Sequence, residues 1–167
     1  RRLYQFVGGH INSVRCFIGD GSFVYSGGDD GHIHCWDLDS TMGRAGGLWP
    51  IAAHDNTVRA LAVHRVYLFS CSLDGSIKVW NTQTGQLVRI LEQKPSPINS
   101  IFSVESSSRL WASAADGTVS VWDIDSMQLV STHFEHRNTN VPLVKRIARV
   151  NSLKIWTLNS DGFLNVW

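Results

Sequence analysis

The chain has 167 residues, about the size of one ordinary domain, and 43% of them are hydrophobic, which excludes an intrinsically disordered protein. Its 15 basic and 14 acidic side chains nearly balance, and this argues against a protein that mainly coats nucleic acid or an acidic membrane. No apolar run is long enough to span a bilayer, so no membrane insertion is expected.

The three cysteines, Cys16, Cys35 and Cys71, are an odd set without a Cys-x-x-Cys pair or zinc-finger spacing to histidine. They predict three small buried thiols in a reducing compartment, not disulfides or metal ligands. We expect a cytoplasmic protein, with the nucleus as the alternative location, and neither a metal nor a cofactor.

One unit of about 44 residues recurs four times along the chain. In every copy an Asp-Gly pair is followed by a tryptophan, six positions after the aspartate. The four tryptophans stand 42 to 45 residues apart, at Trp36, Trp80, Trp122 and Trp167. Residues 1–167 therefore form one repetitive domain. Its copies cover residues 3–37, 48–81, 86–123 and 128–167.

Each copy predicts the same succession of β-strands. In the first copy an apolar run, Val14 to Ile18, is followed by a second run containing Tyr25. Asp30-Gly31 then supplies a tight turn, because glycine accepts a positive φ, and the next strand alternates from Ile33 to Trp36. A fourth strand closes the unit, as in Gln86 to Leu91 of the second copy. No segment has a sustained helical period, so an all-β chain is predicted.

These residues resemble the WD40 (β-transducin) repeat family along the whole chain. The resemblance implies an all-β propeller of four-stranded antiparallel blades around a central channel, in which each repeat supplies the outer strand of one blade and three strands of the next. A lone four-stranded sheet cannot bury both faces, so each unit needs neighbours. The phrases that carry the resemblance are Gly9-His10, Trp36-Asp37, His54, Trp80-Asn81 and Trp122-Asp123.

Histidine, serine and aspartate recur together in the first two copies, a combination that also occurs in hydrolase triads. In WD40 proteins the matched positions form a hydrogen-bonded tetrad with the tryptophan, which satisfies buried polar groups. A nucleophile duplicated in two blades without a glycine elbow has no catalytic rationale, so no enzyme is predicted. The third copy has Lys94 and Ala112 where histidine and serine belong, and the fourth has Asn140 at the histidine position. The predicted tetrad residues are His10, Ser26, Asp30, Trp36, His54, Ser70, Asp74, Trp80, Asp116, Trp122, Thr157, Asp161 and Trp167.

A polar residue follows the first apolar residue of each inner strand. It is Arg15, Arg59 and Lys145 in three copies and Asn99 in the other. In F-box propellers that recognise phosphorylated degrons, arginines at the matched position grip phosphate. The resemblance therefore implies an acidic or phosphorylated peptide at the narrow face. The alternative is that these side chains are solvated or pair with local carboxylates such as Asp29 and Asp55.

The sequence thus predicts a non-catalytic protein–protein interaction scaffold within a multiprotein complex, binding proteins or peptides and not nucleic acid. The alternative is a targeting or regulatory propeller of a larger enzyme such as an inositol-polyphosphate 5-phosphatase, because Leu110-Trp111 and Ile155-Trp156 resemble segments that precede such domains. Since a seven-bladed ring needs roughly 300 residues, we expect part of a seven- or eight-bladed ring. A closed four-bladed ring and two chains sharing eight blades are the alternatives.

Overall fold

The computed structural model describes residues 9–39, 47–93, 95–134, 144–151, 154–159 and 164–166. The helical element among these residues is a 3-10 turn at Glu105–Ser107. No helix in this part of the chain combines the length and the hydrophobicity needed to cross a bilayer.

The strands form four antiparallel sheets, which we call blades 1 to 4 in chain order. Blade 1 contains β1 Val14–Asp20, β2 Phe23–Gly28, β3 His32–Asp37 and β4 Gly47–Ala52. Blade 2 contains β5 Val58–His64, β6 Tyr67–Ser72, β7 Ser76–Asn81 and β8 Leu87–Gln93. Blade 3 contains β9 Ile98–Val104, β10 Arg109–Ala114, β11 Thr118–Asp123 and β12 Gln128–Phe134. Blade 4 contains β13 Val144–Asn151, β14 Lys154–Asn159 and β15 Leu164–Val166.

Within every blade the strands lie side by side in chain order, which confirms the predicted all-β fold of antiparallel blades. In blades 1 to 3 the Asp-Gly pairs make the tight turns between the second and third strands. Gly31, Gly75 and Gly117 have φ values of 73°, 83° and 84°, a conformation that glycine adopts without the penalty that a Cβ atom would bring.

The innermost strands β1, β5, β9 and β13 pack against one another in succession, and the core lies between the blades. Val58 and Leu61 of blade 2 pack in one cluster with Tyr25 and Ile33 of blade 1. A second cluster joins blades 2 and 3 in the same way. A blade therefore buries its faces only where another blade stacks on it, which is the physical reason for the repetition.

The same repeat position can be core in one blade and surface in another. Val14 and Phe17 of β1 are 54% and 77% exposed, whereas the matched Val58 and Leu61 of β5 are 0% and 8% exposed. In the described part of the chain, a preceding blade covers β5 but not β1. The local sequence thus determines where a strand forms, and the neighbouring blade determines which of its side chains are buried.

The three cysteines are free thiols. Cys35 and Cys71 are buried and Cys16 is partly buried. Burial is the main cause that raises the pKa of Cys16 to about 12 and that of Cys35 to about 11. Both thiols are therefore protonated at neutral pH, a state in which they are weak nucleophiles and weak metal ligands.

Candidate functional site

In blade 1 the four predicted tetrad residues form a chain of hydrogen bonds. The indole N–H of Trp36 donates to Ser26 Oγ at 2.9 Å. Ser26 Oγ lies 2.9 Å from His10 Nε2, and His10 Nδ1 lies 2.8 Å from Oδ1 of Asp30. Because Ser26 accepts the indole proton, its hydroxyl can donate to Nε2, and Nδ1–H then donates to the carboxylate. The tetrad thus connects the third strand to the turn and to the segment before β1.

Blade 2 repeats this arrangement at similar distances. Trp80 donates to Ser70 Oγ at 2.8 Å, Ser70 lies 2.7 Å from His54 Nε2, and His54 Nδ1 lies 2.9 Å from Asp74 Oδ2. The Ser76 hydroxyl also donates to Asp74, at 2.6 Å. Sequence analysis missed this fifth member. Its signal is a hydroxyl two positions after the aspartate, which recurs as Thr118 in blade 3.

Burial and hydrogen bonding together set the protonation states of the blade 2 tetrad. Burial alone would raise the pKa of Asp74, but hydrogen bonds from Ser76 and the neighbouring His54 outweigh it and lower that pKa. Burial also lowers the pKa of His54, against the opposite effect of Asp74. At neutral pH the tetrad therefore holds an ionised carboxylate beside a neutral imidazole.

We expect the free energy of unfolding to fall as the pH drops below about 6.5. The pKa of His54 and that of His34 are both lowered, chiefly by burial, so the unfolded chain binds protons more readily than the folded chain. Their contribution to stability is complete above the unfolded pKa and is lost as the pH falls through the folded values. Urea unfolding between about pH 8 and pH 5 measures this slope.

A His34→Ser variant provides the control, because Ser120 occupies the matched position in blade 3 and no tetrad residue is changed. Its slope below pH 6.5 should be shallower than that of the wild type and should keep the same sign. Stability that rises on acidification from pH 7 to pH 5.5 would contradict the predicted pKa directions.

The serine, histidine and aspartate distances match those of a hydrolase triad, but the serine is inaccessible. Ser70 is 0% exposed and Ser26 is 6% exposed, and each hydroxyl accepts a hydrogen bond from the tryptophan of its own blade. A nucleophile must reach a substrate carbon, and these two serines are buried. The tetrad is therefore a structural hydrogen-bond network.

The described residues of blade 3 do not form this four-residue network. Ala112 is buried at the serine position, and the indole of Trp122 donates instead to Ser120 Oγ at 3.3 Å. Asp116 accepts hydrogen bonds from the backbone N–H and the hydroxyl of Thr118. Among the hydrogen bonds of the described residues, none therefore joins Asp116 to Trp122 or Ser120. Lys94 lies outside the described residues.

Blade 4 is described in part. Thr157 is fully buried on β14, as its matched position in the tetrad requires. Asn140, Asp161 and Trp167 lie outside the described residues, so their predicted roles stay predictions.

The four polar positions at the start of the inner strands are equivalent in the backbone. In blade 1, Val14 pairs with Gly28 and Cys16 pairs with Gly27, so Arg15 is the extra residue of a β-bulge. The same shift in register occurs at the matched position of the other three inner strands. A bulge bends the strand and redirects its side chain. The bulged residues, Arg15, Arg59, Asn99 and Lys145, lie at the end of the blades that carries the Asp-Gly turns.

At Arg15 the local pairing considered in the sequence analysis is present. Its Nε and Nη2 donate to the two oxygens of Asp29 at 2.7 and 2.5 Å, and Thr57 Oγ1 donates to the same carboxylate at 3.1 Å. The hydrogen bond from Arg15 is the main cause that lowers the pKa of Asp29. The Arg15 guanidinium is therefore already matched by a negative charge.

Arg59 differs from Arg15 in its surroundings. Blade 2 has Leu73 where blade 1 has Asp29, and no described residue accepts a hydrogen bond from the exposed Arg59 side chain. Asn99 is partly buried in blade 3. Lys145 occupies the same backbone position in β13, and its side chain lies outside the described residues.

One cluster has the spacing of metal ligands. The ligand atoms of His10, Asp30 and His34 lie within 4.8 Å of one another. However, both ring nitrogens of His10 already hydrogen-bond, to Asp30 and to Ser26. A metal ion would have to break these hydrogen bonds of the tetrad, so we assign the cluster to the tetrad of blade 1.

Comparison with known proteins assigns the chain to a family. A family model described as "WD domain, G-beta repeat" matches residues 1–37, 48–81 and 85–123. Transducin beta-like protein 3 of Mus musculus is 27% identical over 99% of the chain, and Protein groucho of Drosophila melanogaster is 30% identical over 74%. The crystal structure of the computationally designed Ika4 protein superposes with a TM-score of 0.83 at 29% identity, over 100% of this chain and 97% of that one.

The two natural relatives are much longer proteins. This chain spans 22% of Transducin beta-like protein 3 and 17% of Protein groucho. The likeness therefore concerns a small part of each relative, and the remainder of those proteins lies outside the comparison.

Proposed function

Because the chain belongs to the WD40 (WD domain, G-beta repeat) family, we propose that it is a non-catalytic platform for other proteins, with an acidic or phosphorylated peptide as the ligand of its bulged face. The observation that carries this proposal is the set of four equivalent β-bulges at one end of the inner strands. Three of the four bulged residues are basic. Side chains presented in register from neighbouring blades can contact one extended ligand together.

Arg59 is the main anion-binding group in this proposal. Its side chain is exposed and has no acceptor among the described residues, so binding an anion breaks no existing ion pair. A guanidinium binds phosphate or carboxylate through paired, charge-assisted hydrogen bonds. Arg15 is a weaker contributor, because an incoming anion must compete with Asp29 for the same N–H groups.

We expect Arg59→Glu to weaken binding of a phosphorylated peptide about tenfold or more, since a hydrogen bond to a charged group contributes about 1.5 to 3 kcal/mol. The probe is a short synthetic peptide with a central phosphothreonine flanked by glutamates, and fluorescence anisotropy measures its affinity. The affinity should also fall as the ionic strength rises, because the contacts are exposed.

Two further variants make the test specific. Asp29→Asn should strengthen binding, because it releases the guanidinium of Arg15 from its carboxylate. Arg89→Glu makes the same charge change on β8, the outer strand of blade 2, and should leave the affinity unchanged. An equal loss with Arg89→Glu, or equal binding of the unphosphorylated peptide without glutamates, would reject the bulged face as the site.

A further inference from the structure

A cavity of about 640 Å³ opens at the opposite end of the inner strands from the bulges. Blades 1, 2 and 3 contribute the residues at which β1, β5 and β9 end. Its wall is partly apolar and partly charged, and no function described above uses it. The residues that matter for its chemistry are Asp20, Val63, His64, Arg65, Phe102 and Glu105.

His64 is the unusual member of this wall. Its side chain is 3% exposed, and neither ring nitrogen has a hydrogen-bond partner in the described part of the chain. The repeat does not require histidine here, because Asp20 and Val104 occupy the matched ends of β1 and β9. Buried polar groups in proteins are nearly always hydrogen-bonded, so an imidazole with two unpaired nitrogens beside a cavity suggests a missing partner.

The charges around the cavity favour a cation. Asp20 and Glu105 are exposed and form no ion pair with a described residue. The Arg65 guanidinium donates to Asp125 at 2.9 Å, so its positive charge is already matched. The wall therefore has two uncompensated carboxylates next to the apolar surface of Val63 and Phe102.

We propose that this cavity binds a basic side chain, lysine or arginine, of a partner polypeptide. The cationic end binds Asp20 and Glu105, and the aliphatic part lies against Val63 and Phe102. A planar guanidinium can stack on the Phe102 ring and also donate to a carboxylate, so arginine should bind more tightly than lysine. A peptide also offers N–H donors and carbonyl acceptors, and the two imidazole nitrogens of His64 need one of each.

The test uses the whole chain and three small probes: N-acetyl-arginine methylamide, its lysine analogue and its neutral citrulline analogue. Imidazole ¹⁵N and ¹H resonances of His64, followed by NMR during titration, report binding at the cavity. We expect saturable shifts with arginine, weaker ones with lysine and none with citrulline. A short peptide with a central arginine should bind more tightly than the single residue if the ligand is a polypeptide, and no more tightly if it is a free amino acid, which would overturn the polypeptide assignment.

Two kinds of variant separate the contribution of the two carboxylates to probe binding from that of His64. Asp20→Asn with Glu105→Gln removes the exposed charges and should weaken the arginine probe at least tenfold. His64→Val introduces the residue type that blade 3 has at the matched position, and amide shifts around Phe102 should then no longer respond to the probe. The proposal is wrong if the shifts are equal for citrulline, if the double charge variant binds the arginine probe with unchanged affinity, or if the shifts fail to saturate.

Discussion

Replacing Ser70 by alanine is expected to lower the free energy of unfolding by about 2 to 6 kcal/mol, because two buried groups lose their partner and each loss costs about 1 to 3 kcal/mol. Ser70 is 0% exposed and takes part in two hydrogen bonds of the blade 2 tetrad. Its loss leaves the indole N–H of Trp80 and Nε2 of His54 without a partner inside the sheet. Urea unfolding at pH 7 measures the change.

Ser113→Ala is the matched control for this prediction. Ser113 is also 0% exposed, but its hydroxyl has no hydrogen-bond partner in the described part of the chain. Removing an unpaired buried hydroxyl should be neutral or stabilising. If both alanine variants lose the same stability, the effect comes from the change in packing and the tetrad is not the cause.

A double-mutant cycle measures the coupling energy between Trp80 and Ser70. Trp80→Phe removes the indole N–H, so that Ser70→Ala in that background leaves only His54 without a partner. The two substitutions should therefore cost less together than the sum of their separate effects. Strict additivity would mean that the 2.8 Å contact between indole and hydroxyl adds nothing to stability.

Gly31→Ala is expected to destabilise the chain by about 2 to 5 kcal/mol, the sum of a left-handed backbone penalty of about 1 to 2 kcal/mol and an overpacking penalty of about 1 to 3 kcal/mol. Gly31 has a φ of 73°, and a Cβ atom there would lie 2.3 Å from the carbonyl oxygen of His54. The clash involves backbone, which cannot rotate away. The carbonyl of Gly31 also accepts the N–H groups of Ala53 and His54, so a shift would disturb the entry to blade 2.

Gly21→Ala separates the two penalties. Gly21 has a similar φ of 57°, and a Cβ atom there would meet nothing within 4 Å. This variant should cost only the left-handed penalty of about 1 to 2 kcal/mol. The difference between the two variants in chemical denaturation then measures the contact between the turn of blade 1 and the start of blade 2. Equal losses would show that the turn moves freely.

The two ends of the inner strands present side chains of opposite charge. The bulged end presents Arg15 and Arg59, of which Arg59 donates no hydrogen bond to a described residue. The other end presents Asp20, Glu105 and the unpaired His64 around a cavity. The near-zero net charge of the whole chain, +1, hides this separation, because it counts side chains without regard to the end of the strand on which they lie.

The amino-acid sequence by itself determined the features that recur locally. The Asp-Gly turns and the tryptophans stand at fixed spacings, so a search for self-similarity predicted the repeated all-β units. The hydrogen bonds of blades 1 and 2 were predicted from the resemblance of the matched residues to the WD40 family. Turn chemistry and strand alternation act over a few residues, and each copy of about 44 residues contains them in full.

Only the tertiary structure decided what surrounds each matched position. Arg15 and Arg59 are equivalent in sequence, but one faces Asp29 and the other has Leu73 at the same place. Phe17 and Leu61 are equivalent too, yet in the described part of the chain Phe17 is exposed and Leu61 is buried beside blade 1. The cavity beside His64 needs the ends of three strands that are far apart in the chain. The physical reason is that a strand's backbone is set by nearby residues, while burial and charge depend on the adjacent blade.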